Sequence, residues 1–126
     1  MPGADARPST SRNATAGAIA EELAAAHLKA HGLTIVARNY RTRFGEIDLI
    51  ARDHDTLVFV EVRMRSREDF GGACASISRA KQARLIRAAR GYLALIGDEP
   101  ACRFDAVLLT RPDKSAVTWL RNIIES

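Results

Sequence analysis

The chain has little of what most often announces a function. Its two cysteines, Cys74 and Cys102, are too few for a disulfide framework and lack metal-ligand spacing. Histidines number three, His27, His31 and His54. His27 and His31 lie four apart, as on a zinc-binding helix, but no glutamate stands between them where such a site needs one. Aromatics make up 6% of the chain, and the core needs most of them, which argues against a stacking platform for single strands. No apolar run approaches the roughly 18 to 20 residues of a membrane span. Residues 1–12 carry Pro, Ser and Asp where a signal peptide has its hydrophobic segment. These absences lead to the expectation of a cytoplasmic protein without membrane contact.

What is present suits a single core. With 126 residues, 47% of them apolar, the chain is long enough for one domain and too short for two. The expected organisation is a flexible tail over residues 1–12 and one folded domain over 13–126. The formal charge is only +4, from 19 basic and 15 acidic residues. Its distribution says more than its total. Arg63, Arg65, Arg67, Arg79, Lys81, Arg84, Arg87 and Arg90 form a basic middle, relieved only by Glu68 and Asp69. Arginine outnumbers lysine there, which suits bidentate phosphate contacts.

Periodicity predicts a first helix over residues 16–31, capped by Asn13 or Thr15 and stopped at Gly32. Its apolar stripe is Ala16, Ile19, Ala20, Leu23, Ala24 and Leu28, with Glu21 at the margin. Three strands follow over about 33–40, 44–52 and 57–65, the last two forming a hairpin through residues 53–56. Residues 66–77, with Gly71-Gly72, read as a flexible loop. Ser78 then caps a second helix to about Ile96, whose apolar stripe is Leu85, Ala88, Ala89, Tyr92, Leu93 and Ile96. Gly97 to Pro100 stop it. A strand over 102–110 and a short one over 117–120 complete an α/β layer fold around a mixed sheet.

The hairpin between Gly45 and Arg63 concentrates chemistry. Alternation puts Ile47, Leu49, Val58, Val60 and Val62 on one face and Glu46, Asp48, Glu61 and Arg63 on the other, with far fewer apolar groups among them. A turn centred on His54-Asp55 makes facing positions sum to 109, so Asp48 should face Glu61 and Glu46 should face Arg63. Directly paired β-carbons are about 4.5 to 5.5 Å apart. Asp48 and Glu61 could then share a hard cation, with the Val62 carbonyl beside it, and Arg63 could hold a phosphate oxygen. The plainer reading of the same residues is a surface ion network, Glu46 with Arg63 and Asp48 with Arg65 or Arg43.

A set of residues carries a resemblance. Gly17, Glu21 and Ala24, then Arg38-Asn39, Gly45-Glu46-Ile47-Asp48-Leu49-Ile50, Phe59-Val60-Glu61-Val62-Arg63, Gly71, Lys81 and Cys102-Arg103-Phe104-Asp105 resemble the YraN family, uncharacterised protein family 0102. The resemblance covers roughly residues 13–120. That family is similar to the restriction-endonuclease-like superfamily and, within it, to archaeal Holliday-junction resolvases. It implies a restriction-endonuclease-like mixed sheet flanked by helices. The superfamily pattern of an Asp, a Glu-x-Lys and a helix Glu falls on Asp48, on Glu61-Val62-Arg63 and on Glu21. Arg63 departs from it, because the pattern has lysine there and the two cations differ in shape and proton affinity.

The expected function is a magnesium- or manganese-dependent, structure-selective DNA endonuclease acting on branched duplex, in the form of a homodimer. Asp48, Glu61, Arg63 and Glu21 are its expected catalytic residues, with Asp48 and Glu61 holding the metal. Arg63, Arg65, Arg79, Lys81, Arg84 and Arg87 are the expected nucleic-acid contacts. The alternative is a non-catalytic nucleic-acid-binding protein of the same fold.

Overall fold

A computed structural model describes residues 15–64 and 78–124. Helix α1 spans Ala16–Ala30, followed by strands β1 (Thr34–Thr42), β2 (Gly45–Asp53) and β3 (Thr56–Met64). Helix α2 (Arg79–Ile96), strand β4 (Ala101–Leu109), a 3-10 turn and strand β5 (Val117–Leu120) complete the order. Residues 1–12, Arg65 and the loop expected over 66–77 lie outside the described residues.

The helix ends follow local chemistry. Thr15 Oγ1 accepts from the Ala18 N–H at 3.1 Å, and Ser78 Oγ accepts from the Lys81 N–H at 3.1 Å. Each satisfies one of the amide donors that a helix start leaves unpaired. At the other end of α2, Gly97 adopts φ +69, a left-handed conformation in which a side chain would be strained.

The five strands lie in the order β1-β2-β3-β4-β5, antiparallel throughout except for the parallel β3–β4 pair. A parallel pair needs a crossover, and α2 belongs to it. The two helices cover opposite faces. Ala20, Ala24, Ala25 and Leu28 of α1 are buried against Leu49, Ala51, Val58, Val60, Val107 and Leu109. Leu85, Ala88 and Ala89 of α2 are buried with Ile47, Ile50, Leu57 and Phe59. Small alanines let both helices approach closely, and each fully buried leucine or isoleucine contributes about 1.5 to 3 kcal/mol. The expected mixed α/β layer is thus observed. The apolar stripes are narrower than expected, since Ile19 and Ile96 remain 37% and 40% exposed.

Two expectations about the hairpin are corrected. The face carrying Asp48 and Glu61 is not poor in apolar groups, because Ile50, Leu57 and Phe59 lie on it beneath α2. Ile47 also packs there, rather than with Leu49, Val58 and Val60. The cause is a local slip in alternation. Ala37 and Tyr40 on β1, like Ile47 and Ile50 on β2, are three apart yet pack toward the same helix. The β1–β2 register itself is the same at Arg38↔Leu49 and Tyr40↔Ile47, its shift lying between Ile35 and Ala37, but Asn39 takes φ +49 between those two pairs. Asp48 sits beside this slip in side-chain alternation, opposite Asn39 in the β1–β2 register.

Candidate functional site

The β2–β3 register agrees with the turn-based expectation as far as the ladder extends. Leu49 faces Val60, Ile50 faces Phe59, and Asp53 faces Thr56. The ladder ends at Leu49, one residue before Asp48 would meet Glu61. Instead of continuing it, Asp48 Oδ2 accepts the Val62 N–H at 2.8 Å. The carboxylate occupies the place of a backbone acceptor, which holds it at the point where β2 and β3 part.

Burial and charge act together on this group. The Asp48 carboxyl is pushed up to about 7, first by burial and then by the negative charges of Glu61, Glu21 and Glu46; the Val62 N–H opposes them. Glu21 of α1 is therefore close enough to act on Asp48 through its charge. Glu46 is not held by Arg63. It pairs with Arg41 of β1, its cross-strand neighbour, at 3.5 Å. The expected Glu46–Arg63 pair gives way because β2 has a neighbour on each side and the β1 arginine stands directly opposite.

Glu61 is 6% exposed and its charge is met from two elements. Arg63 Nε donates to Glu61 Oε2 at 3.2 Å, and Lys81 Nζ stands 3.3 Å from the same oxygen. Lys81 lies in the first turn of α2, three residues after the capping Ser78, whose hydroxyl receives its N–H. Expected as a phosphate contact, Lys81 is placed against the acidic pair itself. Lys81 thus reaches from a helix the same carboxylate oxygen that Arg63 reaches from β3. The signal lay in sequence as a lone lysine in an arginine-rich segment, but nothing in the spacing linked it to Glu61.

The remaining basic residues continue this line. Arg84 follows Lys81 by three positions and Arg87 follows Arg84 by three, so all three lie on one ridge of α2. Gly45 at the start of β2 rests on Arg84, where a Cβ would come within 3.2 Å of the Arg84 Cβ. Arg87 lies over Phe44, with 5.5 Å from its guanidinium to the ring centre. Arg79 is exposed at the start of α2. Among the described residues, no group of three or more His, Cys, Asp or Glu gathers as a metal-binding set. Asp48 and Glu61 form a pair, with Glu21 near enough to be felt electrostatically.

A second polar cluster, to which sequence reasoning assigned no role, lies within β4. Asp105 is fully buried. It accepts from Arg103 Nε at 3.1 Å, from Trp119 Nε1 at 2.9 Å and from the Asn122 N–H at 2.9 Å. Arg103 reaches on to Asp53 at 3.0 Å. Burial works against the Arg103 charge, but its hydrogen bonds to Asp105 and Asp53 outweigh that and hold the guanidinium pKa above its ordinary value. This cluster ties β2, β4, β5 and the following segment together. It is a brace, with its carboxylate already filled by donors.

The fold and site therefore define a small mixed α/β protein with a carboxylate pair, the half-buried Asp48 and the buried Glu61, where β2 and β3 part, with two cations on Glu61. The chain belongs to uncharacterised protein family UPF0102, whose model matches residues 20–109. A UPF0102 protein of Nitrosomonas europaea is 56% identical over 86% of this chain and 92% of its own length. One from Paracidovorax citrulli is 54% identical over 95% of this chain and 88% of its own. One from Psychromonas ingrahamii is 47% identical over 86% and 88% respectively. No helix among the described residues is long and apolar enough to cross a membrane.

Proposed function

We propose that this protein is a metal-dependent, structure-selective endonuclease that hydrolyses phosphodiester bonds in DNA, on a restriction-endonuclease-like fold. The observation that carries the proposal is the convergence of Asp48, Glu61, Arg63 and Lys81 where β2 and β3 separate. The order of one helix, three antiparallel strands, a crossover helix and a parallel strand supports the fold assignment.

The residues present fit a hard divalent cation. Their donors are carboxylate oxygens, and Asp48 is a half-buried acid crowded by negative charge, which a cation would relieve. Magnesium or manganese suits such a place, since magnesium is commonly held by one or two carboxylates together with substrate phosphate. Asp48 and Glu61 would hold it. When bound, the cation supplies Lewis-acid charge and makes a nucleophile available at neutral pH. The chain's own residues do the rest. Lys81 and Arg63 fix the Glu61 carboxylate, and their remaining N–H donors meet a phosphate oxygen as charge develops there. Glu21 adds negative charge on the α1 side. Arg84, Arg87 and Arg79 extend a phosphate-binding track without reading bases.

The test is cleavage of labelled duplex, flap and four-way DNA with magnesium or manganese. Asp48→Asn and Glu61→Gln are expected to slow single-turnover cleavage at least about a hundredfold. Cleavage that survives both substitutions would place the chemistry elsewhere.

Lys81→Met separates catalysis from attraction. If the ammonium serves the Glu61 site, cleavage should fall by about tenfold to a hundredfold while the DNA dissociation constant changes less than about threefold. A loss confined to affinity would return Lys81 to the role of an ordinary phosphate contact.

A second reading, nucleic-acid binding without cleavage, is favoured by one observation. Arg63 stands where the superfamily pattern has lysine, and its Nε is already committed to Glu61. Salt-sensitive binding without turnover on every substrate and metal would select that reading.

A further inference from the structure

The chain's few aromatics include one that the core does not use. Phe44 lies at the tip between β1 and β2 and is 41% exposed. The tip around it is held in shape. Thr42 Oγ1 accepts from the Phe44 and Gly45 N–H groups at 3.0 and 3.2 Å and donates to the Gly45 carbonyl at 3.1 Å. Two guanidiniums lie over the Phe44 ring, Arg43 at 5.2 Å and Arg87 at 5.5 Å. An exposed ring costs solvation energy for the free protein, and the two cation–π contacts offset only part of it.

The placement of this tip relative to the carboxylates is informative. Lys81 marks the acidic pair, Arg84 lies under Gly45, and Arg87 lies on Phe44. Six helical residues from Lys81 to Arg87 correspond to about 9 Å along the axis. A DNA strand advances about 3.4 Å per base step, so this interval spans two to three steps. A strand whose phosphate lies at Lys81 and whose next phosphates follow Arg84 and Arg87 would bring a base to Phe44. In continuous duplex both faces of that base are covered by its neighbours. At a bulge, flap or branch point one face is open, and an aromatic ring can stack on it.

We propose that the Arg43–Phe44 tip is the element that selects DNA containing an unpaired base, with Phe44 stacking on that base as Arg43 and Arg87 move off its ring to hold the flanking phosphates. This rests on the nuclease reading for the identity of the nucleic acid, but it concerns recognition and not cleavage.

Binding in EDTA separates the two. Fluorescence anisotropy would compare a duplex with the same duplex carrying one unpaired 2-aminopurine, whose own fluorescence reports stacking. The unmodified protein should prefer the bulged DNA and quench the 2-aminopurine. Phe44→Ala should lose about tenfold or more in affinity for the bulge, with duplex affinity changed less than about twofold. Phe44→Trp should retain both preference and quenching. Equal affinity of the unmodified protein for the two DNAs, or an undiminished preference in Phe44→Ala, would overturn the inference and leave the nuclease reading standing. Equal losses on both DNAs would also overturn it, by showing that the ring only supports the tip. Failure of the unmodified protein to bind either DNA would overturn the inference, while cleavage with magnesium or manganese decides the nuclease reading separately.

Discussion

Asp48→Asn is expected to make the metal-free protein more stable, by on the order of 3 kcal/mol above neutral pH. The reason lies in where the proton sits. The Asp48 carboxyl is raised from 3.8 to about 7, chiefly by burial and then by Glu61, Glu21 and Glu46. Across that interval the folded protein keeps a proton that the unfolded chain gives up. Stability is therefore full below about pH 4, falls as pH rises toward 7, and levels off above it. Asparagine carries no charge and can still accept the Val62 N–H, so the variant escapes this loss. The positive groups nearby, Arg63 and Lys81, are committed to Glu61 and do not cancel it. Urea unfolding in EDTA from about pH 5 to about pH 8 should show the two proteins diverging as pH rises. Parallel curves would mean that Asp48 is ionised at little cost. Magnesium or manganese should raise the stability of the unmodified protein above pH 7 and leave Asp48→Asn nearly unchanged, by the usual linkage of binding to folding.

Asp105→Ala carries the largest expected loss of stability, about 3 to 5 kcal/mol. The substitution would leave the Arg103 charge half-buried beside Asp53 alone and the Trp119 indole N–H without its acceptor. The Asn122 N–H loses its partner at the same time. Removing one member of a buried ionic network costs far more than the network contributes net, because the remaining groups have no water to return to. Asp105→Asn retains one acceptor oxygen and should cost less. Denaturant unfolding at neutral pH measures both, and a loss below about 1 kcal/mol in the alanine variant would deny Asp105 its bracing role. The same comparison separates two acids of this protein, the buried Asp105 and the half-buried Asp48. Asp105 is satisfied and stabilises, whereas Asp48 is crowded and destabilises. Polar groups that reduce stability while sitting at a break in a sheet are the ones that binding or catalysis can use.

Much of the architecture was legible because its determinants are local. Thr15, Ser78 and Gly97 act within one turn of their helices, and each does what its side chain or lack of one predicts. The β2–β3 register followed from a turn centred on His54-Asp55 and the alternation of Leu49, Val58 and Val60. Alternation failed where a third strand intervened. The slip around Asn39 and Asp48 belongs to the β1–β2 pairing, and it moves Ile47 to the opposite layer. No pattern within β2 alone announces it.

The sequence by itself determined the family, the order of elements and the candidate acids Asp48, Glu61 and Glu21, since motif spacing and periodicity are properties of neighbouring residues. Only tertiary structure decided how the acids are used. It turned Asp48 into an acceptor for Val62, sent Glu46 to Arg41, and brought Lys81 from a separate helix to Glu61. It also left Phe44 at the margin of the core, 41% exposed, with Arg43 and Arg87 near its ring. These outcomes depend on packing α2 across the sheet, which sets residues far apart in the chain within a few ångströms. Their energies arise from burial and from charges on other elements, and neither exists until the layers have closed.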